Sequence, residues 1–152
     1  MLRPQFNDAL KEAMLKKEER AVGTIRMIMA KMKDLDIAAR PMGNITGIDD
    51  TAIVNMLQGM IKQRRESVAL YEKGNRPDLV KQENEEIAIS ERFMPKQMSE
   101  DEIKAAIATI VTSIGAKDIK DMGKVMAELK KTYAGKMDFA QAGALVKSQL
   151  AA

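Results

Sequence analysis

The sequence predicts an all-α protein, with an N-terminal four-helix lobe followed by a small three-helix C-terminal lobe. Three observations carry this. Apolar residues recur at spacings of three and four along most of the chain, the mark of helices buried on one face, while strand-type alternation is nearly absent. Capping residues fall between the periodic runs rather than inside them. Pro95 interrupts the pattern and Ser99-x-x-Glu102 restarts it as a capping box. The expected domains are therefore 1–95 and 96–152.

Leu2, Phe6, Ala9, Leu10 and Ala13 mark a first helix. Val22, Ile25, Ile28, Met29, Met32 and Leu35 mark a second, which must stop near Arg40 because a residue before proline is pushed out of the α region. Asp49 is placed to cap a third, with Ile48 and Ile53 at the spacing of a hydrophobic staple. Its apolar line runs through Leu57, Met60, Ile61, Val68 and Tyr71, and Gly74 is expected to close it in a left-handed conformation. Pro77 suits the first position of a fourth helix, through Val80, Ile87 and Phe93. The short connection makes the third and fourth helices antiparallel neighbours. Beyond Pro95, Ile103, Ile107, Ile110 and Ile114 form the stripe of a fifth helix ending at Gly115. A sixth runs from about Asp121 through Val125, Met126, Leu129 and Tyr133. A seventh, capped by Asp138, carries Phe139, Ala142, Leu145 and Val146.

Composition narrows the chemistry. The chain has no Cys and no His, which removes the usual zinc sites, the thiol nucleophile and the general base that titrates nearest neutral pH. No metal site and no cofactor are expected, and catalysis by this chain alone is disfavoured. No apolar run approaches the roughly 20 residues that span a bilayer, and the N-terminus lacks the apolar core of a signal peptide. A soluble, cytoplasmic protein is the resulting expectation. The net charge is +3, mild enough that any anion-binding surface must come from spatial arrangement. Either side of Pro95 there are 16 basic and 15 acidic residues, then 9 and 7.

The stretch Asp121–Asp138 contains Gly-Lys twice, at Gly123-Lys124 and Gly135-Lys136. Neither is a phosphate loop. The position of the first glycine holds Asp118 or Lys130, and Val125 or Met137 replaces the Ser or Thr that must follow the lysine. A helical reading fits better: Gly123 suits a close helix approach, and Gly135 ends the helix. Lys120, Lys124 and Lys131 then fall at spacings of four and seven along one face, with Lys130 and Lys136 flanking it. Such a strip neutralises phosphates without reading sequence. It is equally the pattern of an ordinary solvated helix face. Arg64 lies on the apolar line of the third helix and requires a carboxylate, expected to be Glu83 or Glu86. Lys62 and Arg65 face outward. Adjacent Glu85-Glu86 and Asp49-Asp50 point to different helix faces or serve caps, and offer no convergent acid–base pair. The 13 Met residues are read mainly as core filling, with adaptable partner recognition as the sharper alternative. Only two Tyr and three Phe are present, which disfavours base stacking as the main mode of RNA recognition.

Several strings resemble the GatB/YqeY family over essentially the whole chain. They are Leu2-Arg3 with Asn7–Met14, Asp36-Ile37-Ala38-Ala39-Arg40, Met60–Ser67, Pro95-Lys96-Gln97 and the Asp121–Asp138 stretch. The resemblance is to the free-standing YqeY-like members and to the tail of the B subunit of the glutamine-dependent tRNA amidotransferase. It implies an all-helical protein of four- and three-helix parts. It also implies a tRNA-contacting role for the lysines of the matching stretch, Lys124, Lys130, Lys131 and Lys136; Lys120, just ahead of it, joins these candidates by its helical spacing. It does not extend to amidotransferase activity, because these residues include no kinase-like portion and no Ser-Ser-Lys amidase segment. The expected function is a non-catalytic accessory protein that binds tRNA or another structured RNA and is linked to tRNA-dependent amidation. A protein-interaction module of the translation machinery is the alternative. Carbon–nitrogen ligase activity with glutamine as donor is conceivable only within a larger complex.

Overall fold

The computed structural model describes residues 1–151. Among them the chain is helical, with seven α-helices and no strand: α1 (Leu2–Leu15), α2 (Glu19–Ala39), α3 (Asp50–Lys73), α4 (Pro77–Glu91), α5 (Glu100–Ile114), α6 (Met122–Thr132) and α7 (Phe139–Ala151). Two 3-10 turns, Arg40–Met42 and Ile119–Asp121, follow α2 and precede α6. The chain divides into two compact units, one of Met1–Met94 and one beginning at Pro95.

In the first unit α3 packs along α4, and α2 packs against both α1 and α4. The α3–α4 pair is antiparallel, since only Gly74, Asn75 and Arg76 separate two helices that pack along each other; Arg64 meets Glu83 and Arg65 meets Glu91 across it. The core gathers Phe6 from α1, Ile25 and Ile28 from α2, Ile53 and Leu57 from α3, and Ile89 from α4. Phe93, just beyond α4, stacks obliquely on Phe6 with ring centroids 4.8 Å apart. The Asp49 carboxylate accepts from the Ala52 N–H at 2.8 Å, the expected cap, and Ile48 packs on the core that contains Ile53.

The end of α3 departs from expectation. Gly74 has φ −80°, and the left-handed residue is Asn75, at φ 53°. The Arg76 N–H reaches the Tyr71 carbonyl and the Asn75 N–H that of Glu72, the paired bonds of a Schellman ending. That motif places its left-handed residue one step after Gly74, and asparagine tolerates the conformation. Lys17, at φ 57°, closes α1 by the same pair of bonds, Glu18 N–H to Ala13 and Lys17 N–H to Met14.

A polar latch joins the beginning of α1 to the end of α2 and the loop that follows. The Arg3 guanidinium forks onto Asp36 at 2.7 and 2.6 Å and also donates to the Ile48 carbonyl at 2.9 Å. Asp36 in turn accepts from the Ile48 N–H at 2.8 Å. Gly47 lies against this latch at φ 101°, and a β-carbon there would stand 2.6 Å from Arg3 Nη2 and 2.9 Å from Asp36 Oδ1. Both the backbone angle and the space require glycine.

In the second unit α5, α6 and α7 each pack on the other two. Ile103 and Ile107, Val125 and Leu129, and Ala142 and Val146 fill its core. The Ser99 capping box is formed on both sides, and Gly115 ends α5 at φ 69°. Ile114 is 40% exposed and so leaves the predicted stripe. Met137, in the turn before α7, is buried in this core although no periodic pattern includes it. Gly123 has nothing within 4 Å of a would-be β-carbon, so it is not a point of close helix approach; the close approach is at Gly143 on α7, against the terminal methyls of Met122 and Met126.

Most of the methionines singled out from sequence serve the cores. Met32 and Met56 are buried, and Met29, Met60, Met122 and Met126 pack against buried residues. Met27 is exposed, its sulfur 3.7 Å from Arg64 Nη2.

Candidate nucleic-acid interface

α6 is built on a narrow apolar stripe. Val125 and Leu129 are fully buried, with Met122, Met126 and Tyr133 packed beside them. At about 100° per residue, Lys124 and Lys131 lie within about 20° of each other and roughly opposite that stripe. Lys130 falls on the flank. Lys120 belongs to the Ile119–Asp121 turn, ahead of α6, and Lys136 to the turn after it. All five are exposed. Among the described residues none of the five forms an ion pair. Lys130 and Lys131 also occupy the last turn of α6, where cations are favoured by the helix dipole.

The acidic groups along this stretch are Asp118, whose carboxylate accepts from the Lys120 N–H at 2.8 Å, together with Asp121, Glu128 and Asp138. The Asp121 carboxylate accepts from the Lys117 N–H at 2.9 Å. That bond holds it below the usual carboxylate range, with the charges of Lys124 and Lys117 acting in the same direction. Asp121 therefore stays ionised at neutral pH and tempers the positive field at the start of α6 without neutralising any one lysine.

The segment Lys96–Met98 is stitched to the turn after α6. Gln97 Nε2 donates to the carbonyls of Gly135 at 2.8 Å and Pro95 at 3.0 Å. The Met98 N–H donates to the Lys136 carbonyl at 2.8 Å. These bonds set Lys96 and Lys136 on one open groove, about 580 Å³ in volume, that Tyr133 and the outer face of α5 complete. Sequence spacing did not bring Lys96 or Tyr133 into the candidate site. The one signal was the unusual Pro95-Lys96-Gln97 string.

In the first unit some outward basic residues are engaged in ion pairs and others, such as Lys31 and Lys33, are exposed and outside the ion pairs of the described residues. Arg65 pairs with Glu91 at 2.6 Å, while Lys62 is exposed on α3. Arg64 contacts both expected carboxylates, at 3.1 Å for Glu83 and in a closer bond to Glu86. Glu86 is also 3.7 Å from Arg20, which donates to Glu85 at 3.3 Å.

Among the described residues no group of three or more acidic side chains could hold a metal ion, and no helix is long and apolar enough to cross a membrane. A family model described as Yqey-like protein matches residues 3–150. The chain is similar to altered inheritance of mitochondria protein 41, mitochondrial, of Lachancea thermotolerans, at 31% identity over 69% of this chain and 55% of the relative. The protein of the same name from Kluyveromyces lactis is 30% identical over 86% of this chain and 65% of the relative. That from Saccharomyces cerevisiae is 25% identical over 79% and 65%. The chain thus spans somewhat over half the length of these relatives. Their names overturn the cytoplasmic expectation, since each is called mitochondrial. That expectation rested on missing signals, namely no apolar span and no cysteine, and such absences do not specify a compartment. The match runs through both units from α1 to α7, and the chain belongs to the YqeY-like family.

Proposed function

We propose that this chain is a non-catalytic accessory protein that grips tRNA, or another structured RNA, through the lysines of its second unit. The observation that carries the reading is the α6 surface: Lys124 and Lys131 opposite the buried stripe, with Lys120, Lys130 and Lys136 around them, all exposed and none ion-paired among the described residues. Unengaged cations are the groups that release counterions when they meet phosphate. On this reading the four-helix lobe is a scaffold and the three-helix lobe the binding module. A link to tRNA-dependent amidation follows from the resemblance to the amidotransferase tail. Any carbon–nitrogen ligase activity would belong to a larger complex and require added ATP, Mg²⁺ and glutamine.

A docking module for a translation protein is the second reading, favoured by the exposed Met42 and Ile45 of the loop before α3. Binding of purified protein to bulk tRNA across a salt series separates the two. The tRNA reading expects affinity that falls steeply with salt and is lost when Lys124, Lys130, Lys131 and Lys136 are changed to Glu. No binding even at low salt would sink it and leave the protein partner.

A further inference from the structure

The groove between α5 and the turn after α6 has a composition that the lysine strip does not explain. Its floor is made of small side chains on the outer face of α5, Ala105, Ala106 and Thr109. Tyr133 lines its wall and is only partly buried. Lys96 and Lys136 line it from the stitched segments; both are exposed and neither is ion-paired among the described residues. The bonds from Gln97 to Gly135 and from Met98 to Lys136 fix this side in advance, so little ordering remains to be done on binding. A volume of about 580 Å³ lies within the roughly 300–1,000 Å³ of small-ligand sites.

We infer that this groove receives one unstacked nucleotide of the bound RNA, its base beside Tyr133 and its flanking phosphates on Lys96 and Lys136. The inference rests on the RNA-binding reading and sharpens it. A flat base is the RNA group that suits an aromatic wall and a floor of small side chains, and two lysines suit the phosphates that bracket it. The scarcity of aromatic residues is no obstacle, because one ring serves one base. Glu102 also lines the groove. One of its carboxylate oxygens accepts from the Ser99 N–H, and the carboxylate has further capacity to accept from an exocyclic amine. Amino-bearing bases should therefore be preferred over uracil.

The test fills the groove without touching a charge. Ala105→Leu with Thr109→Met alters two exposed positions on α5, and its thermal melt should match that of the unaltered protein. The expected result is about a tenfold loss of tRNA affinity with the dependence on salt unchanged, because no phosphate contact is removed. Tyr133 gives a second readout. In a Tyr71→Phe background it is the only tyrosine, and its emission should be quenched as tRNA binds. Wild-type affinity in the filled variant, or unchanged Tyr133 emission at saturating tRNA, overturns the nucleotide site and leaves the lysine grip standing. Failure of the unaltered protein to bind tRNA at low salt removes both.

Discussion

The two units use their positive charges differently. All eight arginines lie in the first unit, and every cation of the second is a lysine. In the first, five of the eight form ion pairs among the described residues: Arg3 on Asp36, Arg20 on Glu85 and Glu86, Arg64 on Glu83 and Glu86, and, at the surface, Arg65 on Glu91 and Arg76 on Asp78. In the second, among the described residues, the ion pair is Lys104 with Glu100. The division follows the chemistry of the groups. Both groups bind phosphate, but a guanidinium forks onto its partner and fixes geometry, whereas an ammonium on a flexible stem acts as a point charge that meets a phosphate without fixing it. Charge count alone hides this, because both units are nearly balanced.

The largest effect that could break the comparison is at Arg64. Its side chain is 12% exposed, and those of Glu83 and Glu86 are 16% and 12%. Arg64→Ala leaves part-buried Glu83 without its partner and Glu86 with only the more distant Arg20, and a loss of about 3 kcal/mol is expected in urea unfolding. Changing Lys124 and Lys131 to Gln should alter stability by less than about 0.5 kcal/mol each. Comparable losses from both would show that the second unit's lysines are structural too.

Next is Gly47→Ala, which adds a β-carbon at positive φ and drives it into the Arg3–Asp36 latch. A cost of about 2 kcal/mol is expected, and the melting temperature should fall accordingly. The Asp36 carboxyl is held below its ordinary value by the hydrogen bonds from Arg3, and also by the Ile48 N–H. A depressed carboxylate contributes stability above its unfolded pKa of about 4, and that contribution fades as pH falls through the folded value. Asp36→Asn should cost about 1–2 kcal/mol at pH 7 and progressively less in urea titrations below pH 4. The smallest effect has the opposite sign. Lys17→Gly relieves a left-handed lysine at the end of α1 and should add about 0.5–1 kcal/mol.

The local features were legible because short spacing encodes them. Asp49 and the Ser99 box announce their helices within four residues, and the register of Arg64 on an apolar line demands the carboxylates that α4 supplies. What sequence missed depends on distant segments meeting. The Arg3–Asp36 pair spans 33 residues, so nothing in the sequence around Gly47 signals what presses against it. The groove needs α5, Lys96 and Tyr133 together, and no periodicity within one helix reports that. Gly123 and Gly143 are alike in sequence, and only the packing of Met122 and Met126 shows which one faces a neighbour. The lysine strip was visible in the spacing of Lys124 and Lys131, but spacing could not show that these lysines carry no ion pair among the described residues.

The most direct test of the division is the salt dependence of tRNA binding in two charge-matched variants. One changes Lys124, Lys130, Lys131 and Lys136 to Gln; the other changes Lys11, Lys31, Lys33 and Lys81, four exposed lysines of the first unit. The account predicts that the first variant loses most of its affinity and its slope of log affinity against log salt flattens by about 0.9 for each phosphate contact removed, while the second stays close to wild type. Equal losses in the two variants would contradict it, by showing that tRNA is held by net charge rather than by the second unit's lysines.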